Sequence, residues 1–68
     1  MKNTVKVERA RHDMSQSDLA EKIGASRQAI YLIEKGKFVP STVLALKISS
    51  VFGLPVNELF ELEEKDWD

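Results

Sequence analysis

The stretch that decides the fold is SQSDLAEKIGASRQAIYLIEKG, residues 15–36. Ser15 stands three residues before Asp18, which is the spacing of a capping box at a helix N-terminus, with Asp in the place of Glu. Gly24 supplies the left-handed residue that commonly ends a helix. These signals predict a helix over residues 16–23.

A second helix follows almost at once. Ser26 is placed to cap it and Gly36 is placed to end it, which predicts a helix over residues 27–35. Two helices joined by so short a turn cross steeply and do not lie side by side. Apolar residues at helical spacing indicate the faces that meet: Leu19, Ala20 and Ile23 against Ile30 and Ile33.

The remaining sequence predicts three more helices, so the predicted fold class is all-α, a five-helix bundle. The first helix covers residues 5–12 and is capped by Asn3 or Thr4. The fourth covers residues 42–52, is capped by Ser41 and is ended by Gly53, and the fifth covers residues 55–60. The fourth helix is apolar over most of its circumference, because Val43 and Leu46 fall outside the arc of its other apolar residues. Such a helix is either central in the bundle or covered by a partner.

Length and composition limit what the chain can be. Its 68 residues, 43 % hydrophobic and 31 % charged, leave room for one globular domain, residues 1–68. A domain this small buries only about 60 % of its unfolded surface, so we expect a second copy of the chain to stabilise it. With no cysteine and one histidine, His12, the chain has no nucleophile–base pair, and we expect no enzyme activity, cofactor or metal.

No stretch is apolar enough to span a bilayer and no signal peptide begins the sequence, so we expect a cytoplasmic protein with no membrane partner. Charge is divided unevenly along the chain. Residues 1–37 hold eight Lys and Arg against five acids, a balance of +3, and residues 38–68 hold two against six, a balance of −4. The asymmetry indicates a cationic binding face and an acidic C-terminal segment, residues 61–68, although a short chain can also show it by chance.

The predicted helix over residues 27–35 carries side chains that suit DNA. With Ile30 and Ile33 turned inward, the side chains left on its surface are Arg27, Gln28, Tyr31 and Leu32. Arg and Gln read the edges of guanine and adenine bidentately in a major groove, Tyr can reach a phosphate or stack, and Leu can meet a thymine methyl. An ordinary solvated helix face remains the alternative interpretation of these residues alone.

Three segments carry a resemblance to a known family: SQSDLA at residues 15–20, GASRQAI at 24–30 and IEKGK at 33–37. They resemble the Xre-type helix-turn-helix family, which groups phage Cro and repressor DNA-binding domains with small bacterial and archaeal regulators. The similarity extends over about residues 5–60 and makes residues 16–35 the helix-turn-helix. The chain departs from the family pattern at three positions: Glu8, where many members have Leu, Asp13, often Gly, and Leu32, where some phage members have a polar residue that reads a base.

The resemblance implies a role for each matching position. Residues that approach bases in the family correspond to Arg27, Gln28, Tyr31 and Leu32, and those that lie along phosphates correspond to Gln16, Ser26, Lys35 and Lys37. Arg9 and Glu34 match a pair that ties the first helix to the recognition helix by a salt bridge, so the resemblance makes both residues structural.

The chain ends carry a further implication of the resemblance. In minimal family members a short N-terminal segment pairs with the segment after the fifth helix, and the same region forms a two-fold dimer. Here this implies a small β element of residues 1–3 against 60–63, with Leu59, Phe60 and Leu62 as the apolar surface of the dimer interface. Beyond it we expect residues 65–68 to be a frayed acidic tail.

Together these features predict a dimeric transcriptional regulator, a repressor, that binds double-stranded DNA at a pseudo-palindromic operator. An alternative is an antitoxin-type module that binds a partner protein through its acidic C-terminal segment and keeps the DNA-binding helices. A helical bundle that no longer binds DNA is a further alternative. It is weakened by five residues expected on one surface, Gln16, Arg27, Gln28, Lys35 and Lys37.

Overall fold

The computed structural model describes residues 1–68 as five helices with a two-stranded ribbon at the chain ends. The helices are α1 (Val5–Arg11), α2 (Gln16–Ile23), α3 (Arg27–Glu34), α4 (Thr42–Phe52) and α5 (Val56–Leu59). The strands are β1 (Lys2–Asn3) and β2 (Phe60–Glu61), and a 3-10 helix, Glu64–Trp67, follows them. The predicted all-α fold class with a small terminal β element is therefore confirmed.

Local hydrogen bonds start α2, α3 and α4 where the sequence predicts. The Ser15 hydroxyl oxygen accepts a hydrogen bond from the Asp18 amide at 3.0 Å, and the Asp18 carboxylate accepts one from the Ser15 amide at 2.9 Å, which completes the capping box. The hydrogen bond that the Ser15 amide donates to the Asp18 carboxylate is the main reason why the pKa of Asp18 lies below its usual range. Hydrogen bonding with the Ser15 side chain is the second reason. Ser26 and Ser41 likewise accept a backbone N–H at the starts of α3 and α4.

Backbone at positive φ follows several of the helices. Gly24 and Gly53 adopt φ of 69° and 66° at the ends of α2 and α4, so both predicted stops are confirmed. Asp13, in the turn after α1, is a non-glycine residue at φ 54°, which gives a physical reason for the glycine that family members often have there. The helices predicted over residues 5–12, 27–35 and 55–60 are too long by one residue at four of their ends. At these ends His12, Lys35, Pro55 and Phe60 are capping residues and do not belong to the helix.

The core draws side chains from every helix and from β2. Ten apolar residues are buried in it: Val5, Leu19, Ala20, Ile23, Ile30, Ile33, Ile48, Phe52, Leu59 and Phe60. These include all the residues predicted to form the contact between α2 and α3, so that prediction is confirmed. A hydrogen bond also links α4 to α2. The Lys47 ammonium donates to the Ile23 carbonyl oxygen, at the C-terminus of α2, over 3.2 Å.

Leu59 and Phe60 belong to the core, which corrects the prediction that they leave apolar surface after the last helix. They are 1 % and 7 % exposed, because pairing of β1 with β2 holds the end of α5 against the bundle. Leu62 is 57 % exposed, as predicted. Two of the three residues predicted to form a dimer interface are thus packed within their own chain.

The acidic C-terminal segment is ordered, so the expectation of a frayed tail is wrong. β1 and β2 pair antiparallel, with Asn3 opposite Phe60. The Met1 ammonium lies 2.8 Å from a Glu63 carboxylate oxygen and 3.1 Å from one of Asp66. The hydrogen bond between Glu63 and the ammonium raises the pKa of the ammonium and lowers that of Glu63. The two chain ends are held by charge as well as by the ribbon.

The outer side of α4 is apolar and exposed. Val43 and Leu46 are 61 % and 56 % exposed, and Val39, just before the helix, is 61 % exposed. α4 is therefore not central in the bundle, which removes one of the two settings that its sequence allowed. None of the helices combines the length and the apolar character needed to cross a membrane.

Candidate nucleic-acid interface

α2 and α3 are joined by a turn of three residues, and one side of α3 lies at the surface. Gly24, Ala25 and Ser26 separate the two helices. α3 buries Ile30 and Ile33, the Glu34 side chain is also largely buried, and the other residues of the helix are exposed or half-buried. Because the buried residues occupy a single stripe of a two-turn helix, the opposite face of α3 is open to a ligand.

The open face of α3 holds the four side chains predicted to contact bases, and they differ in access. Arg27, Gln28 and Tyr31 are exposed, whereas Leu32 is half-buried. Arg27 and Gln28 lie in the first turn, and neither side chain takes part in the hydrogen bonds or ion pairs that cap and anchor α3. A guanidinium and an amide without internal partners are free to make the bidentate bonds that read base edges.

Three of the residues predicted to contact phosphates offer free donors next to this face. Lys35 and Lys37 follow α3 and are exposed, and the Lys35 ammonium lies 5.8 Å from the centre of the Tyr31 ring, a cation–π distance. The Ser26 hydroxyl oxygen accepts from the Ala29 amide at 3.0 Å as the N-cap of α3. Its proton remains available, so all three residues can donate to an anion.

The fourth predicted phosphate contact, Gln16, is tied to α3. Its side-chain amide nitrogen donates to a Glu34 carboxylate oxygen at 3.1 Å, and the residue is half-buried. One amide proton is used in this bond and the second is left, so Gln16 keeps a donor for a phosphate. The sequence did not predict the contact with Glu34, since 18 residues separate the two.

Arg9 and Glu34 are in contact, as the resemblance implies. Arg9 Nε lies 2.8 Å from Glu34 Oε2, Nη2 donates to Oε1 at 3.3 Å, and Nη1 donates to the Met14 carbonyl oxygen at 2.8 Å. The two side chains are 15 % and 5 % exposed, so the pair is largely buried. It joins α1 to α3 and neutralises the single carboxylate of α3, which would otherwise repel phosphate.

A surface cleft brings together residues from three helices. It is lined by Lys6, Gln16, Tyr31, Glu34 and Lys35. Lys6 lies on α1 and is exposed, and sequence reasoning gave it no role. A signal was available, because Lys6 precedes Arg9 by three residues, and residues at that spacing share one face of a helix.

Comparisons with known proteins agree with this geometry. The model of the helix-turn-helix family matches residues 5–59. An HTH-type transcriptional regulator of Methanocaldococcus jannaschii is 48 % identical over 66 residues, which cover 97 % of this chain and 100 % of the relative. One of Bacillus subtilis matches to the same extent, and one of Archaeoglobus fulgidus is 38 % identical over 69 residues, covering 100 % of this chain and 97 % of the relative. The chain therefore belongs to the Xre-type helix-turn-helix family of DNA-binding transcriptional regulators.

Proposed function

We propose that this chain binds duplex DNA sequence-specifically as a two-fold dimer and represses transcription from a pseudo-palindromic operator. The observation that carries the proposal is the first turn of α3, where Arg27 and Gln28 are exposed and free of internal partners. In this arrangement the N-terminal end of α3 enters the major groove, and the two side chains bond to guanine and adenine edges. Tyr31 and the exposed part of Leu32 contact the flanking base or the backbone.

Phosphate contacts around α3 supply affinity and fix its position in the groove. The residues in this role are Gln16, Ser26, Lys35 and Lys37. Each phosphate that they neutralise releases counterions, so binding weakens as salt is added. They act on every sequence alike, and discrimination comes from the base contacts.

The dimer interface that we propose is an apolar groove beside α4. No side chain that lines it carries a charge: Met1, Val39, Pro40, Thr42, Ala45, Leu46, Val56 and Phe60. Val39 and Leu46, which line the groove, and Val43, which lies on α4 outside the lining, are exposed apolar residues and are called the α4 patch below. A two-fold axis brings residues near it close to their own copies, so a charge-free face suits contact with a second copy of the chain.

This interface differs from the one expected from the sequence. Leu59 is buried within the chain and Leu62 does not line the groove, so the proposal keeps Phe60 alone of those three residues. A second copy seated on the groove covers Phe60 and the α4 patch together. It thereby adds to the small core of a domain whose size makes it marginal alone.

Selection of bound duplexes from a random-sequence library tests the proposal. The wild type should enrich two inverted half-sites whose centres lie about 34 Å apart, roughly one helical turn. Gln28→Ala should relax one position in each half-site. Lys22→Ala is the control and should enrich the wild-type site, because Lys22 lines a separate cleft with His12 and Glu21. Failure of the wild type to enrich any common sequence contradicts DNA reading, and enrichment of a single half-site contradicts the dimer.

Repression is tested with a reporter whose promoter overlaps the selected site. A bound dimer should lower transcription by occupying the site, and a rise in transcription would make the protein an activator. The antitoxin alternative gains no support from the relatives, which are named as transcriptional regulators.

A further inference from the structure

We propose that Lys6 of α1 binds phosphate. Together with Gln16 and Lys35 it forms a cleft for one phosphodiester of the DNA backbone. This inference rests on the proposed function and adds to it a contact from a helix outside the helix-turn-helix. Neither the sequence nor the family resemblance assigned Lys6 a role.

The cleft has the size and the donors that a phosphate needs. Its volume is about 280 Å³ and its walls come from α1, α2 and α3. Lys6, Lys35, Gln16 and Tyr31 are among the residues that line it, so the lining includes two cationic side chains, an amide side chain and a phenol side chain. All four side chains can donate hydrogen bonds to an oxyanion.

The charge of the cleft is positive because its carboxylate is already neutralised. Both oxygens of Glu34 accept from Arg9, at 2.8 and 3.3 Å, and one of them also accepts from Gln16 at 3.1 Å. Lys6 and Lys35 are absent from all the ion pairs of the chain. Two free cations therefore remain beside a carboxylate whose charge Arg9 balances, and a phosphodiester supplies the missing negative charge.

α1 is anchored so that Lys6 stays next to α3. Three residues before Lys6, the Asn3 side-chain amide donates to the Ile33 carbonyl oxygen at 2.8 Å. Three residues after it, Arg9 reaches Glu34. Asn3 and Arg9 thus tie the chain on either side of Lys6 to the C-terminal turn of α3, which places the Lys6 side chain toward the cleft.

The position of the cleft favours DNA as the source of the phosphate. Tyr31 belongs both to the cleft and to the open face of α3 that carries Arg27 and Gln28. A strand whose bases meet Arg27 and Gln28 therefore passes its backbone close to Lys6. Inorganic phosphate shares the chemistry of the diester but lacks these additional contacts, so duplex DNA is the ligand that we assign.

The test compares Lys6→Met with the matched control Lys22→Met by fluorescence anisotropy at several salt concentrations. The probes are the duplex selected by the wild type and a random duplex of the same length. Lys6→Met should weaken binding to both alike and lower the slope of log Kd against log salt by about 0.9 for each Lys6 in the complex. Lys6→Arg should restore the slope, and Lys22→Met should leave it unchanged.

The possible results separate this inference from the proposed function. If Lys6→Met has the same affinity and salt slope as Lys22→Met, the assignment of Lys6 to a phosphate is wrong. It is also wrong if Lys6→Met loses affinity for one of the two duplexes only. If NMR shows inorganic phosphate bound in the cleft through Lys6 while duplex binding ignores the substitution, the site belongs to free phosphate and the proposal is overturned. If the wild type binds neither duplex, the proposed function itself fails and the inference falls with it. Lys6 is exposed, so equal melting temperatures of wild type and variant show that folding is not the cause.

Discussion

The outer faces of α3 and α4 are both open to solvent, but their chemistry is opposite. α3 presents Arg27 and Gln28, whose polar groups have no internal partner, whereas α4 presents Val43 and Leu46 beside an uncharged groove. A face of free donors suits a ligand that accepts hydrogen bonds, and an apolar face suits a surface that excludes water with it. Exposure thus makes a surface available, and the chemical groups on that surface decide which partner it fits.

The largest expected effect comes from removing the support under α3. Arg9→Met leaves the Glu34 carboxylate largely buried without its cation, which should lower the free energy of unfolding by about 3–5 kcal/mol in urea denaturation. Lys22→Met is the control, because Lys22 is exposed and takes part in none of the ion pairs, so its loss should cost far less. Under conditions in which the Arg9→Met variant is folded, its affinity for DNA should equal that of the wild type. A variant that is as stable as wild type yet binds DNA poorly would make Arg9 a phosphate contact.

The next effect breaks the apolar face and leaves the polar one intact. Leu46→Glu places two carboxylates near the proposed two-fold axis, and such like-charge pairs cost several kcal/mol, so the dimer should weaken about a hundredfold or more. Sedimentation equilibrium measures this directly, and the melting temperature should lose its dependence on protein concentration. Leu62→Glu is the matched control, since Leu62 is equally exposed but lies outside the groove. If Leu62→Glu disrupts the dimer and Leu46→Glu does not, the interface lies at the chain end.

A smaller effect breaks the polar face alone. Gln28→Ala should remove about 1–3 kcal/mol of discrimination at one base position of each half-site, measured by competition between the selected duplex and its single-base variants. Sedimentation should be unchanged. Lys37→Ala serves as the comparison, because loss of a phosphate contact weakens every duplex by the same factor. Equal losses on all duplexes for Gln28→Ala would move Gln28 from base reading to backbone contact.

The smallest effect concerns the cap of α2, which lies on neither face. The folded-state pKa of Asp18 is lowered, so its carboxylate contributes stability above the unfolded pKa and loses it as the pH falls through the folded value. Asp18→Ala should therefore melt below the wild type at neutral pH, and the difference should shrink below about pH 4. Glu21→Ala, exposed on the same helix, controls for loss of a carboxylate. A difference that persists unchanged in acid would show that the capping bonds do not depend on ionisation.

Prediction from sequence succeeded where a few adjacent residues determine the structure. The Ser15–Asp18 box spans four residues, and Gly24 and Gly53 act through their own backbone angles, so each could be assigned without knowing the fold. The contact between α2 and α3 followed from apolar spacing across one short turn. The Arg9–Glu34 contact spans 25 residues, and it was expected through the family resemblance and not from the residues themselves.

Prediction from the residues themselves failed where distant segments meet, although the family resemblance implied the pairing of the chain ends. Met1 and Asp66 are 65 residues apart, and nothing local indicates that the ammonium orders the acidic segment. The same meeting of the chain ends buries Leu59 and Phe60, which sequence alone left as free apolar surface. Lys6 was missed for a related reason, because its setting depends on how α1 lies against α3. The exposed side chains of α3 could be listed from the sequence pattern, whereas the side-chain contacts between the chain ends could not.

The closeness of the two chain ends has a consequence for engineering. A short peptide linker from Asp68 back to Met1 would close the backbone into a ring, since the Met1 nitrogen already lies 3.1 Å from a side-chain carboxylate oxygen of Asp66, two residues before Asp68. Ring closure reduces the entropy of the unfolded chain and leaves the folded state largely unchanged. The linkage converts the ammonium to an amide, so its ion pairs with Glu63 and Asp66 are lost and offset part of the gain. A cyclic form should therefore melt higher while α3 and the α4 patch keep their surfaces.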